Sequence, residues 1–248
     1  MRLITALLSL FYPRICPMCE EYMGEEQVPG ALCKTCLAQL PRTEQAETPE
    51  NLTEMTLTGS DSVMVRDTGQ NMVRTKKVMH LERAAAFLFF DKEDPIRDLV
   101  HVLKYADRPE IGYQLGRQAA MEFQYADFFD GIDVIVPLPL HPKRLRERGY
   151  NQSEYIARGI SDVTGIPVDT THVERIKNTP KQALQKGAER KANVQNAFAV
   201  NHPEQMYRKH ILVVDDLITT GETMRSCLKA MKRFRGAKFS VFALCKAR

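Results

Sequence analysis

Residues 211–223 of this 248-residue chain have types and a spacing that could bind a ligand. The apolar, largely β-branched residues 211–214 predict a short buried strand, with the adjacent carboxylates Asp215 and Asp216 at its end. A Thr-Thr-Gly-x-Thr turn follows. The next segment predicts a helix with one buried face, because apolar residues recur at a spacing of three, four and seven at Met224, Cys227, Leu228 and Met231.

The turn after this strand predicts an anion-binding site. A strand that passes through a tight glycine turn into a helix points free backbone N–H groups and the positive end of the helix dipole at one spot. The hydroxyls of Thr219, Thr220 and Thr223 add donors that suit a phosphate, and Asp215 and Asp216 can accept hydrogen bonds from a vicinal diol. A phosphate next to a diol predicts a ribose 5-phosphate. An ordinary strand–turn–helix with solvated aspartates is the alternative.

A second group of residues predicts a metal site near the N-terminus. The chain contains two Cys-x-x-Cys pairs, Cys16/Cys19 and Cys33/Cys36. This spacing is typical of a tetrahedral thiolate cage for Zn²⁺, structural rather than catalytic because all four ligand positions are filled. A segment this short buries too little apolar surface to fold alone, so the metal would supply its folding free energy. Disulfides or a rubredoxin-like iron are the alternatives.

Composition and charge place the chain among globular proteins with one sizeable core and a small appendage. The formal net charge is +4, but residues 225–248 carry Lys and Arg and no Asp or Glu. This basic end could face nucleic acid or phosphates, or could be a solvated helix face.

The N-terminus weakly resembles a signal peptide. However, Pro13-Arg14-Ile15 offers no small-residue cleavage site, and no apolar run reaches the length of a membrane span. We therefore expect a short helix at residues 3–11 that packs on the rest of the protein, no integral membrane segment, and a reducing, cytoplasmic location.

Strand and helix patterns alternate over residues 81–248 and predict an α/β fold with a parallel sheet. We expect residues 1–40 to form the N-terminal helix and a small zinc ribbon. Residues 41–80 are expected to form a polar linker or exposed insert with room for a hairpin, and 81–248 the main domain. Strands are expected at 84–90, 133–140, 168–176, 197–200, 211–214 and 238–244. Cys227 and Cys245 fall on apolar faces and are expected to be inert core thiols.

Two basic segments could serve an anionic ligand. Residues 141–152 form a predicted loop directly after a buried strand, at the sheet edge where α/β proteins bind ligands, and suit a pyrophosphate; a solvated basic turn is the alternative. Residues 177–195 predict either a lid or an idle loop. Lys104, at the end of a predicted helix, either points into the site or complements the helix dipole.

Several motifs together resemble a known family. Residues 215–223 resemble the phosphoribosyl-pyrophosphate (PRPP) signature of type I phosphoribosyltransferases. With the cysteine pairs and the motifs Leu103-Lys-Tyr105, Val136-Pro-Leu-Pro139, Arg148-Gly-Tyr-Asn-Gln152 and Pro180-x-Gln182…Glu189-Arg190-x-x-Asn193, the chain resembles the ComF competence family, the ComF/GntX group. The match covers nearly the whole chain apart from residues 41–80. The core also resembles the transferase half of glutamine amidophosphoribosyltransferase.

This resemblance implies a type I phosphoribosyltransferase fold, a parallel sheet flanked by helices, with a small hood. It implies PRPP with Mg²⁺ as ligand. The ribose hydroxyls would be held by Asp215 and Asp216, and the 5-phosphate by the loop Leu217, Ile218, Thr219, Thr220, Gly221, Glu222 and Thr223. The pyrophosphate would face Pro137, Leu138, Pro139, Lys143 and Arg144. Lid residues would be Gln182, Arg190 and Asn193, and catalytic residues Asp215, Asp216, Lys104 and Arg144.

For function, the resemblance implies a cytoplasmic PRPP-binding protein that acts in natural competence and DNA uptake. It implies contact with single-stranded DNA and with competence helicase or channel proteins, although few aromatic residues lie among the basic ones. The alternative is an active phosphoribosyltransferase of nucleotide metabolism or salvage, similar to amidophosphoribosyltransferase, which the basic segments favour. A third hypothesis is a binding scaffold with a relict site.

Overall fold

The computed structural model describes residues 15–23, 32–48, 51–58, 60–64, 73–77, 81–91, 96–105, 108–178 and 196–248. The predicted N-terminal helix at residues 3–11 and the predicted lid residues Gln182, Arg190 and Asn193 lie outside these ranges. Within the described residues, no helix is long and apolar enough to cross a membrane.

The helices and strands follow one another along the chain in an α/β order. They are α1 (Lys34–Gln39), α2 (Leu52–Thr58), β1 (Ser60–Met64), β2 (Val73–Lys77), β3 (Arg83–Phe90), α3 (Ile96–Tyr105), α4 (Pro109–Phe123), β4 (Val134–Pro137), α5 (Pro142–Arg148), α6 (Gln152–Thr164), β5 (Val173–Arg175), β6 (Phe198–Val200), β7 (His210–Ile218), α7 (Glu222–Met231) and β8 (Lys238–Ala247). Short 3₁₀ turns follow α4, at Gln124–Ala126, and β6, at Pro203–Met206.

The central sheet has the strand order β3-β8-β7-β4, and every neighbouring pair is parallel. The predicted parallel α/β sheet is thereby confirmed. Strand β7 lies between two neighbours and reads as a nearly continuous apolar run, as a strand buried on both faces does. Its alternating residues enter two different cores: Leu212 and Val214 pack with α4 and α6, and Ile211 and Val213 pack with α7.

Two glycines let helices α4 and α6 approach each other closely on one face of the sheet. A Cβ at Gly116 would lie 2.2 Å from the Ile156 carbonyl oxygen, and one at Gly159 would lie 2.1 Å from the Tyr113 carbonyl oxygen. No side chain fits at either position. This tight pair fixes the start of α6 above the end of β7, where the candidate site lies.

The structure differs from the sequence-based expectation at three elements. Strand β7 continues to Ile218, so Asp215 and Asp216 lie inside the strand rather than after it. The predicted basic loop is helix α5, with His141 as its N-cap and Gly149 (φ 80°) as its C-cap. The strand expected at 168–176 is only β5, which pairs antiparallel with β6 in a separate two-stranded sheet. Val168 alone forms a parallel bridge, to Ile135.

The described residues 41–48 and 51–58 pack on the α/β core and do not form the expected linker or exposed insert. The Phe89 N–H donates to the Pro41 carbonyl (2.8 Å) and the Thr43 N–H to the Phe87 carbonyl (3.1 Å), so this segment runs along the edge of β3. Polar residues in such a segment can be buried because their amide and hydroxyl groups find partners in β3. After α2, the antiparallel hairpin β1–β2 occupies the region in which the sequence left room for one.

The cysteine-containing segment packs on the main core. Cys16, Met23, Cys36 and Leu40 are buried and belong to the same apolar cluster as Phe87. The segment therefore buries its apolar surface against the α/β core and not only within itself. The boundaries 1–40, 41–80 and 81–248 remain a prediction.

Candidate functional site

A polar cleft of about 210 Å³ opens at the carboxyl ends of β4 and β7. It lies where α/β sheets bind ligands. The residues that line it come from four helices, the loop after β4, strands β5 and β7, and the turn after β7: Lys104, Leu138, Pro139, Leu140, Arg144, Arg148, Gln152, Ser153, Arg175, Asp215, Asp216, Leu217, Ile218, Thr219, Thr220, Gly221, Glu222, Thr223 and Met224.

The two adjacent aspartates have different partners, because neighbouring residues of a strand point to opposite sides. Asp215 Oδ1 accepts a hydrogen bond from Ser153 Oγ at 3.1 Å and from the Asp216 N–H at 2.8 Å. Asp216 Oδ2 lies 3.0 Å from Lys104 Nζ. The pair therefore presents acceptor oxygens to the cleft, and one of the two carboxylates is neutralised by a lysine.

Burial changes the proton affinity of Asp215. Desolvation, and next the negative charge of Asp216, raise the pKa of Asp215 to about 7, although Lys104 and Ser153 act in the opposite direction. At neutral pH the protonated and ionised forms of this carboxyl group are therefore both populated. A bound cation or a diol would favour its ionised form.

Lys104 lies in the last turn of α3, and its side chain points into the cleft rather than along the helix axis alone. Both partners of its ion pair are mostly buried, with side-chain exposures of 20% for Lys104 and 13% for Asp216. An ion pair at this depth is screened less by salt than a surface pair. Lys104 is thus placed where a cation could contact a negatively charged ligand.

The turn between β7 and α7 leaves a helix N-terminus open to the cleft. Gly221 (φ 74°) is the N-cap of α7, and among the described residues no side chain caps this helix. The first-turn acid, Glu222, is directed to Arg225, whose Nη2 lies 2.5 Å from Glu222 Oε1. Because the acid is neutralised, the open N–H groups and the exposed Thr219 and Thr220 have the geometry that the predicted anion site requires.

Three arginines add positive charge to the lining of the cleft. Arg144 and Arg148 come from α5, and Arg175 from β5. Burial lowers the pKa of Arg175, with a further contribution from the charge of Arg144, and its guanidinium lies over the Phe198 ring at 5.4 Å. Arg148 lies over the Tyr105 ring at 5.4 Å. Concentrated positive charge at this depth suits a ligand with several negative charges.

Gln152 contributes an available hydrogen-bond donor. Its Oε1 accepts from Arg148 Nη1 at 2.8 Å, which fixes the orientation of the amide. Its Nε2 is buried and has no hydrogen-bond partner among the described residues. A buried amide without a partner is costly unless a ligand or water satisfies it. Gln152 therefore fits a cleft that receives an oxygen-rich ligand.

The structure brings most of the predicted site residues together. Leu138, Pro139, Arg144 and Lys104 line the cleft, as do all residues from Asp215 to Thr223. Pro137 and Lys143 do not line it. Pro137 is the last residue of the buried strand β4, and Lys143 lies on the exposed face of α5, since neighbouring helix residues point about 100° apart. The roles assigned to all these residues remain predictions.

Six residues of the cleft were missing from the predicted site, namely the apolar Leu140 and Met224 and the polar Arg148, Gln152, Ser153 and Arg175. Arg148 and Gln152 stood in a recognised motif without a role, and Ser153 follows them directly. Arg175 gave a weaker signal: it lies two residues after the buried Val173, so a strand periodicity of two places it on the inward face. An arginine at such a position is rarely buried without a function or a partner.

The four N-terminal cysteines form a cluster that fits a metal. Their sulfur atoms all lie within 4.8 Å of one another, and the Sγ atoms of Cys19 and Cys33 are 3.8 Å apart. A tetrahedral site with Zn–S distances near 2.3 Å has sulfur–sulfur distances of about 3.8 Å. Burial opposes ionisation of Cys16, but nearby backbone N–H groups, that of Cys33 first, lower its pKa to about 7. Burial raises the pKa of Cys36, so the fit to Zn²⁺ rests on the spacing of the four sulfur atoms more than on their proton affinities.

Comparisons with known proteins give the cleft a context. A family model described as "Phosphoribosyl transferase domain" matches residues 151–248. DNA utilization protein YhgH of Escherichia coli K12 is 33% identical over 159 residues, which cover 63% of this chain and 69% of that protein. Competence protein F of Haemophilus influenzae is 34% identical over 117 residues, which cover 46% of this chain and 51% of that protein.

A solved structure also matches. It is a glutamine PRPP amidotransferase from B. subtilis, complexed with ADP and GMP, with a TM-score of 0.39 and 19% sequence identity. The match covers 58% of this chain and 30% of the amidotransferase chain.

The family-model match and the parallel sheet define a type I phosphoribosyltransferase fold, with a cysteine cluster in front of it. The chain belongs to the family of DNA utilization protein YhgH and competence protein F. The family resemblance drawn from the motifs is thereby confirmed.

Proposed function

We propose that the cleft binds PRPP together with Mg²⁺ and that the protein acts in DNA uptake or DNA utilisation. One observation carries the first part of this proposal. The carboxylates of Asp215 and Asp216 lie directly before the uncapped N-terminus of α7, in one cleft. A ribose 5-phosphate needs hydrogen-bond acceptors for its diol and donors for its phosphate, at this short separation.

The remaining charges of the cleft suit the diphosphate of PRPP. Lys104 lies beside Asp216, and Arg144, Arg148 and Arg175 line the same cleft. Mg²⁺ prefers oxygen ligands and is commonly held by one or two carboxylates together with substrate phosphates. Asp215 and Asp216 supply such carboxylates, and bound Mg²⁺ would neutralise the charge of the diphosphate. In the N-terminal segment, Zn²⁺ held by Cys16, Cys19, Cys33 and Cys36 would serve a structural role.

The second part of the proposal rests on the relatives and on the exposed basic residues. The relatives are named for DNA utilization and for competence. Here the C-terminal region exposes several cations without acidic residues between them, namely Lys229, Lys232, Arg233, Arg235 and Lys238. These suit the phosphate backbone of single-stranded DNA. We place this activity in the cytoplasm, with helicase or channel proteins of DNA uptake as further partners.

A second candidate function is turnover of PRPP. The observation that favours it is the convergence of three arginines on the cleft, because a departing pyrophosphate carries more negative charge than the bound ester. A nitrogen nucleophile would attack the anomeric carbon as the C–O bond to pyrophosphate breaks. The chain would contribute positioning and charge neutralisation, with Asp215, Asp216, Lys104 and Arg144 in contact with the reacting molecule.

Calorimetric titration with PRPP and Mg²⁺ tests the ligand. We expect the intact chain to bind and the double variant Asp215→Asn/Asp216→Asn to lose binding without a loss of folding. Arg158→Gln is a matched control, because Arg158 lies on the exposed side of α6 and pairs with Glu154. Pyrophosphate release in the presence of a panel of nitrogen nucleophiles tests turnover. If no nucleophile of the panel causes pyrophosphate release, the chain binds PRPP without turning it over.

Filter binding with single-stranded DNA at two salt concentrations tests the nucleic-acid partner. If four phosphate contacts form, affinity should fall about 50-fold between 50 and 200 mM salt. The variant Lys232→Glu/Arg233→Glu should reduce both the affinity and the salt dependence. Equal binding by the variant and the unchanged chain would show that DNA does not use this surface.

A further inference from the structure

One guanidinium joins three segments around the phosphate-binding turn. Arg225, in the first half of α7, donates from Nη1 to the carbonyl of Thr56 in the last turn of α2. Its Nη2 donates to the carbonyl of Thr220, at 2.8 Å, and contacts Glu222. Arg225 itself is not among the residues that line the cleft. Arg225 therefore contacts the turn from the side that does not face the cleft.

Gly221, the next residue of this turn, lies directly against α2. A Cβ at Gly221 would lie 3.0 Å from Leu57 Cδ2, 3.1 Å from Arg225 Nη1 and 3.3 Å from Thr56 Cγ2. Leu57 is fully buried, in the same apolar cluster as Ile218 and Met224, which flank the turn. Helix α2 thus forms the back wall of the phosphate-binding turn.

The opposite end of α2 is anchored to the sheet. Asn51 Oδ1 accepts from the N–H groups of Thr53 and Glu54, at 3.0 Å each, and so caps the helix. Asn51 Nδ2 donates to the Ala84 carbonyl of β3 at 2.7 Å. Thr53 Oγ1 donates to Gln45 Oε1 at 2.6 Å. The helix is therefore held at one end by β3 and at the other by Arg225.

The last turn of α2 has no basic residue of its own. The C-terminal carbonyls of a helix carry partial negative charge and favour a cation. Arg225 supplies this cation from α7. Because a guanidinium presents several donors in a fixed plane, one arginine can bind the α2 carbonyl, the turn carbonyl and Glu222 together. A lysine would offer a point charge without this geometry.

We propose that Arg225 is a positioning residue that clamps α2 to the phosphate-binding turn, so that ligand binding at the turn and the ordering of α2 are thermodynamically linked. The inference rests on the proposed binding of a phosphorylated ligand. It assigns a role to residues 51–58. These residues lie in the segment 41–80, which none of the family motifs covers. Linkage is reciprocal. A ligand that fixes the turn must stabilise α2, and loss of the Arg225 clamp must lower the affinity for the ligand.

Hydrogen–deuterium exchange tests the linkage in the unmodified chain, with PRPP plus Mg²⁺ and, separately, inorganic phosphate as ligands. We expect saturating PRPP to slow exchange of the amides of residues 55–58 by about fivefold or more. These amides lie behind the turn, so direct contact with ligand does not explain their protection. Inorganic phosphate should give the same protection to a smaller extent.

The variants Arg225→Gln and Arg225→Lys test the residue. Both should raise the Kd for PRPP about tenfold, and both should lose the protection of residues 55–58 at saturating ligand while keeping it at residues 215–223. Rescue by lysine would instead indicate a purely electrostatic effect and would overturn the clamp. The control Arg158→Gln should bind as the unchanged chain does.

The outcomes separate this inference from the proposed function. If the unchanged chain binds neither PRPP nor phosphate, the proposed function fails and the inference fails with it. If the chain binds PRPP but residues 55–58 exchange at the same rate, or if Arg225→Gln binds with unchanged affinity, only the inference fails. The exchange measurement on the unchanged chain decides the matter even if the Arg225 variants do not fold.

Discussion

Lys104 Nζ lies 3.0 Å from Asp216 Oδ2, and this ion pair joins the end of helix α3 to the carboxyl half of the central strand β7. The pair holds a cation and an anion side by side in the lining of one cleft. Asp215, the neighbour of Asp216, instead accepts a hydrogen bond from Ser153. The two carboxylates therefore have different electrostatic environments although they are adjacent in sequence, and this difference leads to separate predictions.

The first prediction concerns Lys104. Replacing it with methionine keeps most of the side-chain volume but removes the cation. We expect the Kd for PRPP to rise about tenfold, because a charge-assisted contact to the ligand is lost. The pKa of Asp215 should rise further, since the Lys104 charge lowers it. Calorimetry and an NMR titration of the Asp215 carboxyl would measure the two effects. Lys209→Met, near the amino end of β7, is the matched control and should change neither.

The second prediction concerns pH. Burial raises the pKa of Asp215 to about 7 in the folded chain, against about 3.9 when unfolded. The folded state therefore binds more protons, and the stability from protonated Asp215 is lost as pH rises toward and through 7. Asp215→Asn should thus stabilise the apo chain at pH 8 and have little effect at pH 4. Equal effects at both values, measured by denaturant titration, would contradict the raised pKa.

Ionisation of Asp215 should also change ligand binding, but here a rise in pH should increase the affinity. The diol of a ribose needs an acceptor, and ionised Asp215 is the better one. PRPP affinity should therefore increase by up to about tenfold between pH 6 and pH 8. In Asp216→Asn the midpoint of this increase should move to lower pH, because the Asp216 charge raises the pKa of Asp215. A flat affinity over this range would argue against a role of Asp215 in binding.

The third prediction concerns removal of Zn²⁺. Cys16 and Cys36 belong to the same apolar cluster as Phe87, so the metal segment and the α/β core should unfold together. A strong chelator should lower the melting temperature of a zinc-loaded sample by about 10 °C in a single transition, because the metal contributes several kcal/mol. Scanning calorimetry measures this. A separate low-temperature transition with an unchanged main one would show an independent metal domain.

The fourth prediction compares two glycines with the same backbone angle. Gly221 and Gly165 both have φ 74°, but a Cβ at Gly165 would meet no atom within 4 Å, whereas one at Gly221 would crowd Leu57. Gly165→Ala should cost about 1–2 kcal/mol for the left-handed backbone alone. Gly221→Ala should lower the free energy of unfolding by about 1 kcal/mol more because of the crowding. It should also lower the affinity for PRPP. Equal costs in denaturant titrations would mean that α2 does not constrain the turn.

The sequence predicted the elements whose signals are local. The apolar run at 211–214, the glycine turn and the apolar periodicity at 224–231 predicted β7, the turn after it and helix α7. The cysteine pairs likewise predicted a cluster, because Cys-x-x-Cys spacing leaves few geometries. In these cases the residues that determine the structure are neighbours in the sequence.

The sequence could not predict contacts that depend on distant segments. The polar composition of residues 41–80 predicts a linker or exposed insert, yet Gln45 and Asn51 are buried because β3 offers backbone partners that no local pattern shows. The basic residues after β4 formed a helix rather than a loop, which turned Lys143 away from the cleft. Arg175 reached the cleft through an antiparallel pair with β6, across a long connection.

The most direct test of the account is a crystal structure of the chain soaked with PRPP and Mg²⁺. We predict density for the 5-phosphate at the turn Thr219–Thr223, and for the ribose hydroxyls within hydrogen-bonding distance of Asp215 and Asp216. The diphosphate should lie near Arg144 and Lys104. A cleft without PRPP at millimolar concentration, or PRPP bound elsewhere with these two carboxylates free, would contradict the account.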